Sequence, residues 1–287
     1  MNANAVVNGL LIGGFYSVLA LGLSLVFGVL RLINLAHGAI IIGGSYLAYL
    51  GFDLWGLGPF EALPLVMIVA AAIAYVLQRY LLTGLLLRGS DSALVATFGV
   101  ALLLEALYTE AFGSDPRSLK SGLSTAGFSI GSIRIRAAYV VAFAFAVALC
   151  LAAHLLLTRT RAGTLVRAAA ADPHTAGLMG INVRKTYAAI FAIGAAVAAV
   201  GGVLIGITFS FTPTSGTQYL ITGIAVVVLG GVGNVAGTFA GGILLGLLQS
   251  LAAAQFGGGY RDLVVYLMFF LVLALRPQGL FVRGVAA

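Results

Sequence analysis

Charge is the scarcest commodity in this 287-residue chain: 15 Lys+Arg and 8 Asp+Glu leave it 8% charged, against about 25% in an ordinary soluble domain. A water-soluble globule is excluded. Cysteine occurs once, as Cys150, which rules out an intrachain disulfide and a cysteine-rich metal framework. The three histidines, His37, His154 and His174, fall in separate segments without ligand spacing, so no zinc site is expected. The sequence contains no G-x-x-x-x-G-K-[ST] run, so it has no P-loop to cradle nucleotide phosphates. The opening MNANAVVNGLLIGG lacks a basic leader and a small-residue cleavage site and reads as a retained first span.

What the chain does have is apolar length. With 61% hydrophobic residues and a mean hydropathy of +1.12, it would overfill any single core, and several runs approach the ~20 residues that cross a bilayer. They lack the alternation of ~10-residue barrel strands, so the expected class is all-α, a polytopic transmembrane bundle in one domain over 1–287. The excess of positive charge, +7, first serves membrane topology, and no nucleic-acid partner is expected. The 39 glycines, about twice the average usage, point to close helix packing.

Apolar runs predict about nine spans, within a range of eight to ten: 5–30, 34–50, 62–83, 92–112, 137–157, 187–210, 219–232, 236–254 and 262–276. The second and seventh are short and border glycine-rich breaks, the pattern of broken or re-entrant helices. With segment 158–186 in the cytosol, alternation places ten basic residues inside, Arg88 and Arg283 among them, and five outside. The C-terminus is then cytoplasmic. Segment 113–136 becomes an extracytoplasmic loop, in which Phe128–Ile135 alternates like a short hairpin. Segment 158–186 reads as a basic helix from about Gly163 to Ala171, followed by a short one from His174 to Met179. Asp172 caps the second helix, Pro173 starts it and Gly180 closes it.

Four stretches in order, Gly14–Leu50, RTRAGTLVRAAAADPHTAGLMGINVRKTYAAIF, VVVLGGVGNVAGTFAGG and the terminal RPQGLF, resemble the LivH-type permease of branched-chain amino acid ABC importers. The resemblance covers nearly the whole chain. It implies a non-catalytic permease subunit in a bacterial cytoplasmic (inner) membrane, importing branched-chain amino acids by alternating access. Its implied partners are a second, LivM-like permease, two ATP-binding subunits that hold the ATP and Mg, and a periplasmic substrate-binding protein. No cofactor is implied in this chain. Carried over residue by residue, the segment that couples to the ATPases falls on Arg167, Ala168, Asp172, Pro173, Ala176, Gly177, Gly180 and Ile181.

Polar groups inside apolar runs are costly unless they face a partner or a cavity, which makes Asn34, His37, Glu105 and Asn234 candidates for the translocation pathway. Asn34 and His37, three apart, are expected on one helix face. Either could equally be structural, Asn34 as a cap and His37 as a satisfied packing residue. Gly233, Gly237 and Gly241 repeat at four-residue spacing, a helix-packing stripe. A urea or short-amide permease of the same family is the nearest alternative. An ion-coupled carrier using Glu105 or His37 is the alternative from another class.

Overall fold

The computed structural model describes residues 3–86, 89–130, 133–276 and 279–281, and these are helical almost throughout. Helix α1 (Ala3–Leu30) is followed by α2 (His37–Trp55), then by α3 (Leu63–Leu77), which continues through a π-helical turn at Gln78–Leu82 into α4 (Thr83–Leu86). Next come α5 (Ser90–Phe112), α6 (Gly122–Thr125) and the hairpin β1 (Gly127–Ile130) and β2 (Ile133–Arg136). Then α7 (Ala137–Arg159), α8 (Arg161–Ala171), α9 (Pro173–Leu178) and α10 (Val183–Thr208) complete the middle of the chain. A 3-10 turn at Pro213–Ser215 leads to α11 (Gly216–Gly230), α12 (Val235–Phe256) and α13 (Tyr260–Leu275).

Each of the nine apolar runs forms a helix, but only seven helical stretches among the described residues are long and apolar enough to cross a membrane. Helix α11, with 15 residues, and α13, with 16, fall short. The second run is not the short helix expected from 34–50. Its helix has 19 residues, because it starts later and runs on through Gly51 and Asp53 to a left-handed cap at Gly56, φ 66°. The start is late because Arg31 adopts φ 51° and 31–34 leave the helical conformation. Arg88 and Arg283 of the charge count, and Pro277 and Gln278 of the terminal motif, lie outside the described residues.

Two helices make the centre. The spanning window of α10 is 89% buried and that of α1 is 72% buried, against 11% for α5 and 22% for α7. In lipid, apolar side chains gain little by leaving one apolar medium for another, so close backbone approach and interhelical hydrogen bonds must hold the bundle. Both are present. A methyl group added to Gly202 of α10 would collide with the Ile41 carbonyl oxygen of α2, and there Ser45 Oγ donates to the Gly202 carbonyl at 2.6 Å. On the other flank, Ser17 Oγ of α1 donates to the Phe239 carbonyl of α12 at 3.1 Å. Thr238 Oγ1 donates to Ser24 Oγ at 2.8 Å.

One end of the bundle is strapped by loops. Strands β1 and β2 pair antiparallel with Phe128 opposite Ile135, the hairpin that the alternation predicts. The hairpin is clipped to α1 through Arg134, whose N–H donates to Asn4 Oδ1 at 2.8 Å and whose carbonyl accepts from Asn8 Nδ2 at 3.1 Å. Arg117 pairs its backbone with Phe211, donates from Nη2 to the Phe112 carbonyl at 2.7 Å and lies 4.6 Å above the Tyr49 ring.

The contact at Gly202 yields a prediction. Gly202→Ala forces α10 away from α2 and should cost about 1–3 kcal/mol, seen as a lower thermal midpoint of the purified protein. Gly84→Ala, where an added methyl meets nothing within 4 Å, should leave the midpoint unchanged.

Candidate functional site: a capped helix pair beside a groove

Helix α8 begins where Thr160 turns the chain: its Oγ1 accepts from the Gly163 N–H at 3.0 Å and donates to the Leu156 carbonyl at 2.6 Å. One face of α8, Gly163, Val166 and Ala169, is buried against α1, α7 and α10. Tyr187 of α10 fixes it by donating to the Ala169 carbonyl at 3.3 Å. The opposite face presents Arg161 and Arg167 to solvent, while Ala168 is half-buried.

Helix α9 is held from within. Asp172 Oδ1 accepts from the His174 N–H at 2.9 Å, and its Oδ2 accepts from the Thr175 hydroxyl. The Thr175 hydroxyl, followed by the backbone N–H groups of Thr175 and His174, holds the Asp172 carboxyl below the usual carboxylate range. Pro173 occupies the first turn, where it forfeits no helical hydrogen bond. At the far end Gly180 takes φ 83°, which lets the Ile181 N–H reach back to the Ala176 carbonyl at 3.1 Å. Ala176 is buried, Ile181 half-buried and Gly177 exposed.

The tip of this unit carries residues that sequence reasoning missed. Leu178 and Met179 are 76% and 79% exposed, and Leu165 on α8 is 45% exposed. Large apolar side chains standing free between two glycines of a polar loop mark a contact surface. Their sequence signal is the pair of large apolar residues in Gly177-Leu-Met-Gly180, flanked by glycines in a polar segment.

The residues proposed for the pathway scatter. Asn34 and His37 do not share a helix face: α2 starts at His37, and Asn34 sits in the non-helical break before it. There Asn34 Oδ1 accepts from the Ala36 N–H at 3.1 Å. His37 is 1% exposed, and its Nε2 donates to the Leu19 carbonyl of α1 at 2.9 Å, so the imidazole ties α1 to α2. Asn234 caps α12 by accepting from the Gly237 N–H at 3.0 Å and donates to the Phe281 carbonyl at 3.2 Å. Glu105 stands half-buried on α5, the least covered span.

The glycine stripe also divides. Gly233 precedes α12 in a turn with φ 74° and abuts Gly28 of α1, whereas Gly237 and Gly241 lie on the helix and abut Gly230 of α11. All three permit close packing, but on two separate contacts.

Two cavities open at opposite ends of the bundle. A groove of about 320 Å³ runs between α8 and the adjoining ends of α1, α7 and α12, lined by Val166, Arg167, His154, Gly28 and Asn234 among others. A wider basin of about 1190 Å³ lies by the hairpin, with Arg134, Arg136 and Arg261 at its walls and Phe209 among its apolar lining. Asn34, His37 and Glu105 line neither.

The fold is a multi-span helical bundle with a capped helical pair projecting from one end. The chain belongs to the family described as branched-chain amino acid transport system / permease component, whose model matches residues 5–273. It is 31% identical to the high-affinity branched-chain amino acid transport system permease protein BraD of Pseudomonas aeruginosa, over 96% of this chain and 94% of that one. It is 29% identical to the permease protein LivH of Escherichia coli K12, again over 96% and 94%. Among solved structures it matches PsaBC from Streptococcus pneumoniae in complex with Fab, with a TM-score of 0.52 and 14% identity over 96% of this chain and 94% of that one, a likeness of fold.

The cap makes α9 testable. Asp172→Asn, which can still accept at the N-cap, should retain protection of the His174 amide in hydrogen exchange, and Asp172→Ala should lose it. Because the Asp172 carboxyl is lowered, its contribution is fully present above the ordinary carboxylate pKa and disappears as pH falls through the lowered value. Protection should therefore be flat through neutrality and fall only below the ordinary carboxylate range.

Proposed function

We propose that this chain is the membrane-spanning permease subunit of an ATP-binding-cassette importer that moves branched-chain amino acids inward across a bacterial cytoplasmic membrane. The capped pair α8–α9 carries the reading. A self-capped unit that displays exposed Leu178 and Met179 at its tip suits insertion into a cleft on an ATP-hydrolysing partner. Arg167, Ala168, Asp172, Pro173, Ala176, Gly177, Gly180 and Ile181 then form the coupling surface, with Asp172 and Gly180 shaping it and Ala176 seating it. The names of the relatives BraD and LivH support the substrate class. ATP and Mg belong to the two partner ATPases, and a substrate-binding protein delivers the amino acid to the opposite end.

In this orientation α8 and α9 face the cytosol, the C-terminus is cytoplasmic, and the basin walled by Arg134, Arg136 and Arg261 opens outward. A small zwitterion with an aliphatic side chain needs a mainly apolar path with few fixed charges, and the spans are built that way. Alternating access follows when nucleotide-driven movement of the partners biases the bundle between two arrangements. The ion-coupled alternative lacks comparable support, since neither Glu105 nor His37 lines a described cavity.

The reading is tested in proteoliposomes containing the permease pair and its ATPases. Leucine uptake should require ATP and loaded binding protein, and Met179→Asp should lower uptake and ATPase stimulation together by about tenfold or more, the effect of ~1.4 kcal/mol at one contact. Uptake that persists without ATP, or no copurifying ATP-binding subunit, would overturn it.

A further inference from the structure

Helix α5 crosses the membrane while barely touching its own subunit: 11% of its spanning window is buried. Its attachment is a single stripe. Ala93 and Thr97 are fully covered, Thr97 Oγ1 accepts from the Leu35 N–H at 3.3 Å, and Tyr108 donates to the Ala39 carbonyl at 3.3 Å. Across the helix Val95, Phe98, Leu102, Leu103 and Leu107 are between 51% and 66% exposed.

An apolar face alone would suit lipid. Glu105 does not. It lies at the flank of that face, seven residues before the helix end at Phe112, so its backbone is about 10 Å along the axis from the end at 1.5 Å per residue. Thr109 Oγ1 donates to the Glu105 backbone carbonyl at 2.8 Å, and among the described residues no hydrogen bond or ion pair reaches the carboxyl. A carboxyl at that depth is expensive in hydrocarbon and is ordinarily found against protein or a water-filled cavity. The other bare faces differ in this respect. On α3, Ile68, Ile73 and Val76 are exposed, yet the helix carries no charged residue. On α13, the charged residues Arg261 and Asp262 are confined to the first turn.

We propose that the Glu105 face of α5 is an interface with a second permease subunit, which presents a cationic or hydrogen-bond-donating side chain to the carboxyl. The depth selects the class of partner. Neither a soluble binding protein nor an ATPase docked at the membrane surface reaches a group one to two helical turns inside a span, so the occupant is itself a membrane bundle. The assignment rests on the proposed importer, which requires two permease subunits, and adds which face joins them.

Photocrosslinking in the intact complex tests it. A benzoylphenylalanine placed at Phe98 or Leu102, seven and three residues before Glu105 and on its side of the helix, should give a covalent adduct with the second permease, and one at Ile73 or Phe270 should not. Glu105→Leu should reduce the second permease recovered with the tagged chain several-fold, while Glu105→Gln, which keeps hydrogen-bonding capacity, should retain most of it. If Glu105→Leu fails to accumulate, the crosslinking result alone decides. Lipid adducts only at α5, or second-permease adducts from α3 or α13 instead, would overturn the assignment. Failure of the wild-type chain to recover any second permease would overturn the importer reading itself.

Discussion

Backbone must touch backbone for this bundle to exist. In water, helices are driven together by the apolar surface they hide; in a bilayer that drive is nearly absent, and association depends on packing and on the few hydrogen bonds side chains can make between helices. The contact of Gly202 with the Ile41 carbonyl and the Ser45 hydroxyl bound across the same crossing show both means at one point. Helices α1 and α10, pressed between α2, α11 and α12, form the fixed part. The peripheral spans α3, α5 and α7 attach by one face each.

The same logic connects the core to the projecting unit. Gly28 of α1 lies against Gly233 in the turn before α12, Asn234 caps that helix, and the groove beside them is closed by Val166 and Arg167 of α8. Helix α8 thus rests on the adjoining ends of α1, α7 and α10, with the Tyr187 hydroxyl as a tether.

Much of this was legible in the sequence, for reasons that differ by element. The membrane class followed from bulk composition. Helix α9 was readable because Asp172, Pro173 and Gly180 are local signals acting within one turn of themselves. The errors came where tertiary geometry intervenes. Nothing local announces that Arg31 adopts φ 51°, so Asn34 was placed on a helix with His37 when it belongs to the break before it. Glycine spacing identified packing but could not tell that Gly233 bends into a turn while Gly237 and Gly241 remain helical. Leu178 and Met179 went unnoticed because apolar residues are read by default as buried, and only the fold reveals them bare.

The self-contained capping of α9 bears on how the transporter assembles. A recognition element that orders only on meeting its partner loses part of its interaction free energy to ordering. Here the Asp172 carboxylate and the turn at Gly180 set the shape in advance, so Leu178 and Met179 are displayed before any encounter. The proposed docking is then the meeting of two formed surfaces, in which recognition is governed by fit and orientation, not by folding on arrival. On the proposed docking, the apolar tip waits in water until its cleft arrives, which makes an unassembled permease prone to sticking to whatever apolar surface it meets first.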